Sequence, residues 1–283
     1  MKNYRPFILI IILYSLLTPM VFAENLQLKF LVQGVSGDLL QNVLLRLEAV
    51  KKNYGSLTHT DIDAIYKASP QEIVLALAPF GYFKPHITSH LTTHQQVITA
   101  SFKINLGTAL RITQLDLRIL GLGNKNPQIQ QFVKKFPIKV GEVFNSTAYE
   151  KAKAQLFQIA ANQGYVKAYL EQNEILIDRK NNRATILIHF NTGPRYYFGP
   201  VIFDAGFYQP AFLQRFVSFR QGEPFSSEKL IKFQQALEGS YYFQRILITP
   251  QFDQTIDNRV PIHLSFQTPK AKKYNFGLGY GTS

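Results

Sequence analysis

Apolar positions along this chain change their period in a fixed order, and that order recurs. Leu26 to Val32, Ile112 to Leu120, and Val201 to Phe203 read as strands. Each precedes a short stretch of helical spacing: Leu39 to Leu47, Gln128 to Lys134, and Ala211 to Val217. A main helix comes next, over Ser69 to Leu77, Thr147 to Ala160, and Ser226 to Leu237. In the second of these, Ala148, Ala152, Leu156, Ile159 and Ala160 share one stripe, as do Leu230, Phe233 and Leu237 in the third. Such spacing predicts amphipathic helices. Each round ends in period two. Ile175-Leu176-Ile177 turns at Asn181-Asn182 into Ala184, Ile186, Ile188 and Phe190. Ile246 to Phe252 turns near Asp257-Asn258 into Val260, Ile262, Leu264 and Phe266. In the first round, Val97 to Leu106 is the last strand. Alternation around Asn-rich turns predicts hairpins with one buried face. The order per round is β-α-α-β-β, with two helices covering one face of a three-stranded sheet.

Landmarks keep the same step. Gly81 and Gly164, each following a main helix, stand 83 positions apart, and Ser240 takes the aligned place 76 positions further on. Val140-Gly141-Glu142-Val143-Phe144 is matched by Gln221-Gly222-Glu223-Pro224-Phe225, and Asn105-Leu106-Gly107 by Asn191-Thr192-Gly193. Several markers in one order at one period define a repeat. Ser69 with Pro70 and Glu72, and Thr147 with Glu150, have the spacing of helix N-caps. Gly81, Gly164 and Gly239 lie where a helix end favours a left-handed residue.

The first residues change the picture of where the chain works. Lys2 and Arg5 precede the apolar Pro6 to Leu17, and Val21-Phe22-Ala23 offers small residues before a cut between Ala23 and Glu24. This is the order of a cleaved secretory leader. Cysteine is absent, which excludes disulfides, thiol catalysis and cysteine metal sites. The net charge is +13, and loss of the leader lowers it by two. Lys and Arg are spread along the chain; export argues against a nucleic-acid partner and leaves solubility, anionic lipid or acidic clients.

No catalytic constellation stands out. His86, His90 and His94 are spaced by four in a Thr/Ser/Gln-rich strand-and-turn region without carboxylates, so a polar strand face is favoured over a metal site. His189 and His263 hold matching places on the last strands of the second and third repeats, on expected polar faces. Glu142 and Glu223 also match, in loops that enter helices. Tyr196, Tyr197, Phe198, Tyr241, Tyr242 and Phe243 are expected to pack the third repeat. The chemistry that stays open is that of the backbone, because an outer strand can accept an added strand. By module order the candidate edges are Val166, Lys167, Ala168, Tyr169 and Leu170, and Gln244, Arg245, Ile246, Leu247 and Ile248 through Thr249.

A chain of tandem β-α-α-β-β modules behind an export leader resembles the POTRA domains of outer-membrane assembly proteins. Three modules over about residues 24–269 resemble the periplasmic part of the TamA family of autotransporter assembly subunits. Tyr274, Phe276, Leu278 and Tyr280 alternate with small or polar residues and look like that family's first barrel strand. The resemblance implies an α+β fold with a leader at 1–23, modules at 24–107, 108–193 and 194–269, and the start of a truncated β-barrel at 270–283. It implies a non-enzymatic factor at the outer membrane, its modules in the periplasm, without cofactor or metal. A TamB-like inner-membrane-anchored protein and unfolded β-barrel clients would be its partners, and the outer membrane itself where a barrel is supplied. A two-partner secretion pore, a BamA-like assembly protein and a POTRA-like structural adaptor of the envelope are the alternatives.

Overall fold

The structure is a computed structural model that describes residues 26–204, 208–240 and 242–267. The expected leader, with Ala23 and Glu24, and the expected barrel strand at Tyr274, Phe276, Leu278 and Tyr280 lie outside those residues, as does Tyr241.

The architecture is α+β: three three-stranded sheets, each with helices on one face. The first sheet holds β1 (Gln27–Gln33), β2 (His86–His94) and β3 (Val97–Asn105); α1 (Gly37–Lys52) and α2 (His59–Leu77) lie between β1 and β2 in the chain. The second holds β4 (Arg111–Leu120), β5 (Tyr169–Asp178) and β6 (Arg183–Asn191), with α3 (Pro127–Lys134) and α4 (Ser146–Asn162). The third holds β7 (Tyr197–Phe203), β8 (Arg245–Pro250) and β9 (Arg259–Gln267), with α5 (Pro210–Leu213), a 3-10 turn over Gln214–Phe216, and α6 (Ser227–Gly239).

In every sheet the last strand is central. It pairs in parallel with the first strand and antiparallel with the second. The sequence dictates this place. Ala184, Ile186, Ile188 and Phe190 on β6 are fully buried, and so are Val260, Ile262 and Leu264 on β9. A period-two apolar row of that kind gains most where strands flank it and helices cover it, at about 1.5–3 kcal/mol per large side chain.

The chain divides into two compact units. One runs through Leu77 and adds Lys84–Gly107; the other takes Ala78–Phe83 together with everything from Thr108 onward. The second unit therefore holds two sheets. Within it Gly81 O accepts the Leu110 N–H at 2.8 Å, and Gly164 O accepts the Tyr196 N–H at 2.7 Å. Gly81 has φ of +83° and Gly164 φ of +92°, and a Cβ on either would lie within 2.7 Å of a backbone oxygen. Close approach, not the helix end alone, selects glycine at both places.

Helix starts differ from the expectation. Ser69 and Pro70 are not a cap: they lie inside α2, where the Ser69 hydroxyl donates to Ile65 O at 2.7 Å. Pro70 lacks an N–H, and the rest of the helix carries it because Ile62, Ile65, Ile73 and Leu77 bury one stripe around it. The reciprocal cap sits at Thr58 and Asp61: Thr58 Oγ1 accepts the Asp61 N–H and Asp61 Oδ2 accepts the Thr58 N–H. In α4 the cap is Asn145, whose Oδ1 accepts the Ala148 N–H at 3.0 Å, so Thr147 is already helical. Ser226 caps α6 through the Lys229 N–H, the last helix start falling where it was expected. Gly239 is the final residue of α6, and Ser240 ends the helix in a right-handed conformation, so no left-handed residue is needed there.

Candidate partner-binding edges

β5 and β8 are outer strands. Tyr169 and Leu170 open β5, but Val166, Lys167 and Ala168 precede it in a turn where Ala168 N–H donates to Tyr165 O at 3.2 Å. The left-handed Gly164 and the buried Tyr165 reverse the chain there, which moves the start of the strand three residues on from the expected edge. Arg245, Ile246, Leu247 and Ile248 lie in β8, and Gln244 extends the ladder through its N–H to Gln267 O at 2.8 Å.

The edges are not equivalent. β5 is bulged between Leu170 and Gln172 and carries Glu171, Glu174 and Asp178. Bulges and charges protect an edge against chance pairing. Tyr149, buried on α4, bonds to Asn173 of β5 and pins this strand to the helical layer. Burial pushes its hydroxyl up to about 12, so it stays a neutral donor at ordinary pH. β8 has no bulge. Ile246 and Ile248 pack on the third core while Leu247 is 61% exposed on the opposite face, and Pro250 ends the strand.

The matching outer strand of the first sheet reads in the sequence as a polar strand face and not as a candidate edge. β2 pairs over nine residues with β3 without a register shift, and contains no Pro, Lys, Arg, Asp or Glu. Its polar residues give no buried face to read, and the apolar alternation of its neighbour β3 is what fixes it as an outer strand. His86, His90 and His94 fall on this strand, where a spacing of four separates neighbours by roughly 13 Å.

His189 and His263 each meet a carboxylate across a parallel pair of strands. His189 Nε2 stands 3.1 Å from Asp116 Oδ2, and His263 Nε2 stands 2.7 Å from Asp204 Oδ1. Arg118 beside Asp116, and then His189, hold that carboxyl below its usual range. Glu142 and Glu223 sit in equivalent loops, whose backbone carbonyls accept the N–H groups of Ile112 and Phe198. Their side chains serve those loops: Glu142 accepts the Lys139 N–H, and Glu223 pairs with Lys229. Tyr196, Phe198 and Phe243 are buried in the third core; Tyr242 is half exposed. Phe198 stacks on Phe219 at 3.8 Å and Phe225 at 4.8 Å, whereas Tyr242 and Phe243 meet Tyr208 and Phe212 in a separate group.

Among the described residues no helix is long and apolar enough to cross a membrane, and no three His, Cys, Asp or Glu side chains stand where they could hold a metal ion.

Residues 29–106 match the family described as POTRA domain TamA domain 1. That stretch spans nearly all of the first sheet and both of its helices, so the first module is what is similar to a POTRA domain. Among solved structures, the chain is similar to POTRA domains 3–5 of BamA from Haemophilus influenzae at 13% identity, covering 86% of this chain and 96% of that one, with a TM-score of 0.49. POTRA domains 1–3 of Omp85 from Anabaena are similar at 17% identity over 87% of this chain and 96% of that one, with a TM-score of 0.30. CdiB from Acinetobacter baumannii is similar at 12% identity and a TM-score of 0.31; the match covers 57% of this chain and 30% of CdiB.

Proposed function

We propose that this chain works in outer-membrane protein assembly as a TamA-type factor. Its POTRA modules would stand in the periplasm after a cleaved leader and receive a TamB-like partner and unfolded β-barrel clients such as autotransporters. Catalysis of a covalent step plays no part in this reading. The observation that carries it is the shared plan of the sheets. In all three a strongly apolar central strand holds the fold, so an outer strand can hydrogen-bond to a newcomer without disturbing the core. β2 and β8, unbulged and nearly free of charge, are the better acceptors; β5 is the guarded one. The placement of modules at 24–107, 108–193 and 194–269, and of a barrel from 270, belongs to the same proposal.

Proline at an edge position tests it. Leu91→Pro in β2 and Leu247→Pro in β8 remove one ladder donor each. Crosslinking of the full chain to an unfolded β-barrel client is expected to drop at the altered edge, while circular dichroism and the unfolding midpoint confirm that the fold persists. Unchanged crosslinking by both folded variants would sink strand addition as the mode of binding.

A further inference from the structure

The basic charge is concentrated in one module. Residues 108–193 hold twelve Lys and Arg against six Asp and Glu, whereas 24–107 and 194–269 each hold seven against six. Spread along the chain as these side chains are, six of the eight excess positive charges between 24 and 269 therefore fall on the second module. The same module has an open groove of about 480 Å³ between α3 and α4. Gln131, Phe132 and Lys135 form one wall, Gln155 and Ile159 the other, and Pro137 closes an end. No carboxylate lines it. Lys134 ends α3 beside Lys135, and Lys151 lies one turn ahead of Gln155 on α4, so all three cations fall on the two helices that bound the groove. All three are exposed and none is ion-paired among the described residues. The carbonyl end of α3 favours the first two electrostatically. It does not account for Lys151 on the other helix.

The groove is also preformed. Gln163 Nε2 donates to Gln128 Oε1 at 2.9 Å and Asn126 Nδ2 donates to Gln163 Oε1, which ties the start of α3 to the end of α4. Phe132 packs edge-on against Phe136. A fixed cleft spares a ligand the cost of ordering it.

We infer that this groove is a docking site for an acidic, amphipathic segment of a partner protein. Its apolar side chains would rest on Phe132, Pro137 and Ile159, its carboxylates would face Lys134, Lys135 and Lys151, and its polar backbone or amides would meet Gln131 and Gln155. A protein segment fits the lining, because half-buried Phe132 and Ile159 stand beside the amides of Gln131 and Gln155, which a peptide backbone or amide can meet, with lysines and no carboxylate around them. The site lies on the helical layer, away from the outer strands, and does not depend on strand addition.

Fluorescence anisotropy on the full chain tests the inference, with a labelled synthetic peptide of about 15 residues bearing Leu and Phe on one helical face and Glu on the other. Saturable binding is expected, with Kd rising about tenfold in Lys134→Glu/Lys135→Glu and less in Lys151→Glu, and weakening as salt increases. Ile159→Ser should weaken binding without changing its salt dependence; the peptide with Lys in place of Glu should not bind. Leu247→Pro should leave Kd unchanged, separating this surface from the edge of β8. Three results would overturn the inference: no saturable binding, binding indifferent to the lysine reversals, or lysine-dependent binding to vesicles containing phosphatidylglycerol with none to the peptide.

Discussion

The second and third modules carry the same skeleton in different materials. Module two sets the aliphatic row Ala184, Ile186 and Ile188 against Leu110, Ile112 and Ala152, with Phe136, Phe144 and Tyr149 around it, and closes the core with an eight-residue α3. Module three has only one turn of α5 and a 3-10 turn in the place of α3, and fills the space with rings: Phe198 between Phe219 and Phe225, and Phe233 edge-on to Phe219. Aromatic side chains supply the volume and area that a shortened helix leaves out. The central strand is what the two modules do not vary.

Truncation of a core residue breaks this comparison most severely. Phe198→Ala removes a fully buried ring from two stacked contacts and should cost about 3–5 kcal/mol, at or above the cost of about 2–5 kcal/mol for Ile186→Ala. Urea unfolding of both variants measures the difference; a smaller loss at Phe198 would show that the rings fill module three less tightly than their burial suggests.

Glycines sharpen it next. Gly141 and Gly222, with φ of +91° and +84°, occupy equivalent loops of the two modules, and a Cβ on either meets nothing within 4 Å. Alanine there bears only the left-handed backbone and should cost about 1–2 kcal/mol at either place. Gly164→Ala adds a clash at 2.5 Å from Tyr196 O, and its cost should exceed theirs by about 1–3 kcal/mol. Equal unfolding midpoints for all three variants would mean that the backbones at Gly164 and Tyr196 part at little cost.

The smallest effect is one of pH. Asp116 has its carboxyl held low by Arg118 and then His189. A lowered native value favours the folded state above the ordinary carboxylate range, and that contribution fades as pH falls through the range and below it. Asp116→Asn should therefore lose a small contribution at neutrality and converge with the parent as pH falls, which flattens the acid limb of stability against pH. Identical profiles for the variant and the parent, followed by urea midpoints from pH 7 to pH 3, would remove the pair from any account of acid sensitivity.

The order of elements was legible because it rests on period alone. Ile98, Ala100, Phe102 and Ile104 alternate as plainly as their counterparts on β6 and β9, and all are buried. Element ends were less legible because similar local chemistry occurs inside and outside helices. Ser69-Pro70 imitates a cap, yet sits in a helix whose real reciprocal cap, Thr58 with Asp61, was equally readable in the sequence. Of the expected edges, β8 was readable from alternation, whereas the start of β5 depends on a turn set by Gly164 packing on the next module. β2 was readable as a polar strand face but not as an edge, because its place in the sheet is set by β3. The groove between α3 and α4 brings together residues some 20 to 30 positions apart, and no local pattern marks it.

The joint at Gly164 bears on how the protein can be taken apart. Besides the Gly164–Tyr196 bond, Asn162 Oδ1 accepts the Glu228 N–H at the start of α6, and Arg195 Nε donates to Gln163 O. The end of α4 thus completes a helix that begins more than sixty residues later. A cut at 193/194, where the repeat invites one, would strip the second module of Arg195 and Tyr196 and leave α6 without its second cap. The shortest dependable piece on that side of the chain is therefore the pair of modules together, and isolated fragments would misreport both the stability and the binding surfaces of either one.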